Sequence, residues 1–380
     1  MSEPHAPEEP FLGATPRPAL RPPLRDAEGR VDLRSLERAE LERFLVDELE
    51  ETPGRALRVF KALWQHGATS IDDLPGVGKA VRAKLAKRAF LSELVPATVQ
   101  HSEDGTTKYL WRLADGYTIE SVLIPDDGRL TLCMSSQVGC AMACSFCLTG
   151  DMGLKRHLRP SEIALQPLRV AQGLPQGVRI TNLVLMGMGE PLHNLDNLVT
   201  ALRICMDDHG LNLSHRKITV STVGLAPQLA ELAARLPVNL AVSINASHDA
   251  QRKQIMPITR KHSLAELMEA CRRFPLDRGR RITFEYVMFD GFNDTEADAE
   301  RLLALLEGVP SKLNLIPYNP NPDRALMPPP MERVRAFQHW FVTRGVACSV
   351  RSTRGQDISA ACGQLGKAGA PKAARDIVAG

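Results

Sequence analysis

Cys140-Ala-Met-Ala-Cys144-Ser-Phe-Cys147 places three cysteines three and then two residues apart, directly after an apolar run, Arg129-Leu-Thr-Leu-Cys-Met134. The run reads as a strand, so the cysteines sit in the loop at its carboxyl end, where parallel α/β folds gather their functional groups. Thiolates are soft ligands that favour zinc or iron-sulfur clusters. Structural zinc takes four protein ligands and this loop offers three, so one metal position stays open to a small molecule. Two plainer readings are a zinc knuckle closed by a distant fourth ligand and cysteines that bind nothing.

Beyond that loop, β-type runs alternate with helical ones. The predicted strands are Arg129–Met134, Ile180–Met186, Lys217–Thr222, Val238–Ile244, Ile282–Phe289 and Lys312–Tyr318. The predicted helices are Ser161–Gly173, Leu195–His209, Pro227–Leu236, Leu264–Phe274 and Thr295–Gly308. Six βα units in series mean an α/β fold with a parallel sheet wound in one hand, either open or curled into a partial barrel, two units short of a full one. After a Pro-rich loop, 317–330, come a helix at Glu332–Arg344, a strand at Ala347–Arg351 and a Gly/Ala-rich tail.

Upstream, Leu36, Leu41, Leu45 and Val46, then Leu57, Phe60, Leu63 and Trp64, recur at helical spacing and predict a small helical domain over 31–98. Within it Leu74-Pro-Gly-Val-Gly78 precedes Lys79, Arg82, Lys84, Lys87 and Arg88, resembling a helix-hairpin-helix whose helix N-terminus can hold a phosphate. A solvated basic face after a Pro-Gly turn is the equal alternative. Period-two runs at Lys108–Leu113 and Tyr117–Ile124, with Asp-Gly between, predict a β-hairpin linker over 99–128. Residues 1–30 are rich in Pro, Glu and Arg without an apolar segment, so a disordered tail is expected and not a signal peptide. The core then runs 129–355 and a C-terminal segment 356–380. With 44% apolar and 24% charged residues, and no run long enough to span a bilayer, the 380-residue chain is expected to be cytoplasmic. A net charge of +3 does not by itself announce a polyanionic partner.

Several groups can carry chemistry. Met186-Gly-Met-Gly-Glu190-Pro191 ends the second strand; glycines let a ligand approach the backbone, and the carboxylate can accept from an ammonium or ribose hydroxyls. Ser221, Ser243 with Asn245, and Asn319 close later strands on the same face, although each alone is ordinarily a turn residue. Of eight cysteines, Cys205, Cys271 and Cys348 lie in apolar patterns and are expected to be buried thiols. Cys133, on the first strand, and Cys362, in the polar segment Arg354–Gln364, are either unrelated thiols or a pair able to carry a methyl fragment and release it by disulfide formation. Glu120, on the hairpin, reads as an ordinary exposed strand residue.

Taken together, the stretches Cys133–Cys147, Gly187–Leu192, Glu285–Met288 with Gly291–Asp294, Asn314–Pro320, Thr353–Gly355 and Ala360–Leu365 resemble the radical S-adenosylmethionine (SAM) adenosine-C2 RNA methyltransferases, over about Leu33 to Leu365. The resemblance implies a partial (βα)6 radical SAM barrel with an N-terminal helical, RNA-binding domain and a β-hairpin extension. It implies a 4Fe-4S cluster on Cys140, Cys144 and Cys147, and SAM surrounded by Gly189, Glu190, Ser221, Ser243, Ile244, Asn245 and Asn319. Many relatives carry His where this chain has Asn245, which still offers a donor and an acceptor. Cys362 would become methylated, Cys133 would form a transient disulfide with it, and Glu120 would take the proton from the substrate carbon. Implied substrates are adenosine 2503 of 23S rRNA and adenosine 37 of tRNA, with an external flavodoxin-like electron donor, no membrane and a monomeric state. A C8-methylating sister enzyme and, from another class, a non-catalytic zinc-knuckle RNA-binding protein are the alternatives.

Overall fold

Alternation along the parallel strands organises the molecule. In the computed structural model, which describes residues 23–321 and 324–366, Ile218–Thr222 buries Ile218 and Val220 against helices and turns Thr219 and Ser221 inward. The same division recurs in Ile282–Met288, where Thr283, Glu285 and Val287 face inward, and in Ser311–Pro317, where Lys312, Asn314 and Ile316 do. Parallel strands covered on both faces normally read as unbroken apolar runs; polar residues at every second position show that one face borders a hollow.

In the main sheet of the described residues seven strands run parallel: Arg129–Cys133, Asn182–Leu185, Ile218–Thr222, Asn239–Ser243, Ile282–Met288, Ser311–Pro317 and Cys348–Val350. Among the helices between them, Pro160–Gln172, Leu195–Met206, Ala226–Arg235, Leu264–Arg273 and Glu296–Leu306 match the expected five within three residues at each end. Met331–Val342 follows the sixth strand, and Cys348–Val350 then joins the sheet beside it, so six βα units end in a seventh strand. Cys205 and Cys271 are buried as expected, whereas Cys348, on the sheet edge, is half-exposed.

The sheet continues past its first parallel strand. Thr118–Asp126 pairs antiparallel with Arg129–Cys133, Thr107–Arg112 pairs with it, and Val95–His101 forms the outer edge. The expected two-stranded hairpin is thus a three-stranded meander. Val95–His101 escapes sequence reading because all seven residues are exposed and one is Pro96, which an edge strand tolerates.

Helices Arg38–Leu49, Gly54–Trp64 and Lys79–Arg88 form the N-terminal bundle, docked through Asp32. This fully buried carboxylate accepts hydroxyl hydrogen bonds from Ser35 (2.7 Å), Ser92 (2.6 Å) and, across the junction on helix Pro160–Gln172, Ser161 (2.7 Å). Residues 23–30, expected within the disordered tail, form a turn in which Asp26 caps Arg30 and Arg25 bridges to Val31. The rest of that tail, and the chain after 366, lie outside the described residues. No helix among the described residues is long and apolar enough to cross a membrane.

Candidate active site

At the carboxyl end of the parallel strands a cavity is lined by Cys140, Cys144, Cys147 and Cys362, by Gly189 and Glu190, and by Ser221, Ser243, Asn245 and Asn319. The cysteine loop reaches it on a short antiparallel base, Gln137–Val138 with Arg156–His157. The turn inside is tight: Ala143 is left-handed (φ 50°), and a Cβ on Gly150 would lie 3.2 Å from the Cys144 nitrogen. Burial pushes the Cys140 thiol up to about 12 and raises Cys144 and Cys147, each further raised by a neighbouring negative charge, from Glu190 and Cys147, from Cys147 and Cys140, and from Asp151 respectively. Among the described residues no three His, Cys, Asp or Glu converge tightly enough for a single ion. Three thiols lining one wall, each needing positive charge to ionise, fit a cluster held at three of its four irons, with the fourth left open.

Opposite lies Gly187–Glu190. A Cβ on Gly187 would lie 2.6 Å from the Met134 carbonyl oxygen, and Gly189 has φ 104°, so the turn presses on the first strand as only glycine can. Glu190 is buried; its carboxylate accepts from the backbone N–H of Leu192 (3.1 Å) and of Val223 (2.9 Å). Burial outweighs those bonds and raises its pKa to about 7. A carboxylate held this way gains most from a cationic ligand.

Other predicted residues take less direct positions. Asn245 is buried and left-handed (φ 56°), with its Oδ1 accepting from Val287 N–H (2.8 Å), so its amide ties two strand ends while its edge lines the cavity. The left-handed region favours Asn. Ile244 does not line the cavity: its side chain is buried, its N–H donates to Glu285 O (3.0 Å), and its carbonyl accepts from Arg252 Nε (2.9 Å). Asn319 Nδ2 donates to Cys362 O (3.1 Å) and so holds the C-terminal segment.

Cys133 and Cys362 line an adjoining smaller cavity with Arg351, and both are free thiols. Burial, then the neighbouring Cys362, pushes the Cys133 thiol up to about 12; Arg351 acts in the opposite direction. Glu120 is not exposed as its sequence context suggests; it is 2% accessible, pairs with Lys108 (3.4 Å) and accepts from the Gly366 N–H (2.7 Å). Lys108 in turn donates to Ser359 O (3.3 Å).

Three residues were missed from sequence. Arg351 lines both cavities; Arg252, fully buried, donates to the carbonyls of Val223, Ser243 and Ile244 and so gathers strand ends; Gln137 contacts the glycine turn. None stands in a spacing pattern, though Gln137 lies inside the quoted cysteine stretch.

Comparison with known proteins gives the family. Residues 134–303 match the radical SAM superfamily, and residues 31–91 match the ribosomal RNA large subunit methyltransferase N-terminal domain. The chain is 50% identical over 377 residues, 98% of its length and 95% of the relative's, to the dual-specificity RNA methyltransferase RlmN of Anaeromyxobacter sp. (strain Fw109-5). It is 48% identical to RlmN 2 of Myxococcus xanthus (strain DK1622), covering 99% of both chains. A crystal structure of a radical SAM methyltransferase from Sphaerobacter thermophilus superposes with a TM-score of 0.82 at 42% identity, covering 88% of this chain and 98% of that one. The enzyme therefore uses a 4Fe-4S cluster and SAM to methylate RNA, and the chain belongs to the RlmN family of dual-specificity RNA methyltransferases within the radical SAM superfamily.

Proposed function

We propose that this chain methylates C2 of adenosine, at position 2503 of 23S rRNA and position 37 of tRNA, with Cys362 as methyl carrier. The observation that carries the reading is that Cys362 borders both cavities, facing the three-cysteine loop and Glu190 in one and Cys133 in the other. Adenine C2 is an electron-poor carbon without a lone pair, so it cannot attack an electrophilic methyl group. Cys140, Cys144 and Cys147 would hold the cluster, and Glu190, Ser221, Ser243 and Asn319 would line the SAM site. When bound, the cluster supplies the electron that splits SAM into methionine and a 5′-deoxyadenosyl radical.

Cys362, as thiolate, first accepts a methyl group from one SAM and loses its negative charge. Arg351 lines both cavities beside Cys362, and its own pKa is raised there, first by that cysteine, so its guanidinium stays charged next to the sulfur. After hydrogen abstraction from the S-methyl group, the sulfur-bound carbon would add to C2; the C2 proton would pass to Glu120, and the electron released would return to the cluster, left oxidised when it split SAM. Cys133 then attacks the Cys362 sulfur; an S–S bond forms, the S–C bond breaks, and the departing carbon keeps the pair and takes a proton. The disulfide must be reduced before the next turnover. Peptide mass spectrometry of protein isolated in the Cys133→Ala form should find Cys362 carrying the trapped adduct, and digested RNA from the wild type should contain 2-methyladenosine. An 8-methyladenosine product, or an unmodified Cys362, would replace this reading with the C8 enzyme or with direct transfer.

A further inference from the structure

Gln137 occupies the junction between the two halves of the site. It is fully buried in the strand Gln137–Val138 that begins the cysteine loop, and its main chain pairs with His157. Gly189 lies so close to it that a Cβ there would stand 2.6 Å from the Gln137 Cβ. Gln137 Oε1 accepts from the Glu190 N–H (2.8 Å), and Gln137 N–H donates to Met188 O (3.2 Å). At the other end of the amide, Nε2 faces His157 Nδ1 (2.9 Å) and His193 Nδ1 (3.3 Å), whose rings meet edge to face with centroids 5.0 Å apart.

An amide NH2 only donates, so both imidazoles accept at Nδ1 and carry their protons on Nε2. The Glu190 N–H can only donate, so the amide oxygen faces it, and the NH2 end is then left with the two imidazoles as its acceptors. We infer that Gln137 is the positioning residue that sets the SAM-gripping turn against the cysteine loop, with His157 and His193 holding its amide in the required orientation. The inference rests on the reading of Gly189 and Glu190 as the SAM grip. Because cluster and SAM must meet at a bond-forming distance, a strut joining their two protein supports sets where the ligand's amino group sits relative to the metal.

SAM binding to the cluster-loaded, full-length protein without RNA, measured by equilibrium dialysis, tests it. Gln137→Met keeps the volume and removes both polar ends. Leaving the Glu190 N–H without its acceptor should weaken SAM binding about tenfold to a hundredfold, with iron content unchanged. His157→Leu should weaken it in the same direction, and His157→Asn, which restores a side-chain acceptor, should recover most of the loss; a general packing defect would not show that recovery. Affinity within twofold of wild type in Gln137→Met overturns the inference. Should that variant fail to take up iron, an unchanged affinity in His157→Leu, or an equal loss in His157→Asn, overturns it instead. A wild-type protein that binds no SAM would overturn the reading of the turn itself, a result separable from failure of the strut.

Discussion

Cys133 sits where a thiol is hard to ionise. Raised from its usual 9 to about 12, it holds on the order of a thousandfold less thiolate at neutral pH than a free cysteine. Iodoacetamide at pH 8 should therefore leave Cys133 unmodified in the native protein, freed of cluster and SAM, over a time that alkylates it fully in urea, as peptide mapping would show. Rapid native labelling would mean the thiol is neither buried nor protonated. Glu190 gives a pH dependence of known sign. Its folded pKa, about 7, lies above the ordinary 4.5, so its contribution to stability is complete below about 4.5 and is lost as pH rises through 7. The shift is worth about 3 kcal/mol. Melting of the cluster-free protein should show a fall from pH 5 to 8 that Glu190→Gln largely removes. Both residues stood out in the sequence by position. Their energetics did not, because desolvation is a property of what packs around them. Arg351, Arg252 and Gln137 were invisible for the same reason: an Arg or Gln acts here through partners as far as 29, 53 and 165 positions away, and no spacing announces that.

At the scale of elements, glycine turns and strand alternation do most to build the site. Gly189→Ala would force a Cβ to 2.6 Å from Gln137 at a φ of 104°. Urea unfolding should show a loss of about 1–3 kcal/mol, and SAM affinity should fall with it. A variant as stable as wild type would mean the turn can move off the first strand. Strands with inward polar and outward apolar positions were readable to within two residues at each end, since period two survives wherever one side is dry and the other lines a hollow. The edge strand Val95–His101 has no buried side and no alternation, and the short strand Cys348–Val350 gives no sign of its pairing partner. Asn245 was legible as a strand-end residue, but its left-handed backbone and its bond to Val287 belong to the next strand's placement.

Across the whole molecule, the N-terminal helices meet the barrel at a buried carboxylate, beside ion pairs of Arg38 with Asp207 and of Arg203 with Glu37. Asp32→Ala removes the acceptor of three hydroxyls, two of them buried, and should cost about 3 kcal/mol of docking energy. Hydrogen exchange should then quicken across 31–91 while SAM binding to the barrel stays near wild type; uniform loosening of the barrel would show that the two parts fold as one unit. Sequence separated the bundle from the barrel through composition and helical spacing. It could not show their joint, which relies on Ser161, 129 residues from Asp32.

The tether from Gly366 to Glu120 bears on how a nucleotide gains entry. The carboxylate proposed to receive the C2 proton accepts at Oε2 from the far end of the same polypeptide stretch that bears Cys362, and Lys108, beside its Oε1, fastens that stretch a second time at Ser359. If Glu120 takes the proton as proposed, a base reaching it would meet the Gly366 amide there, and admitting the substrate would be coupled to unlatching the carrier.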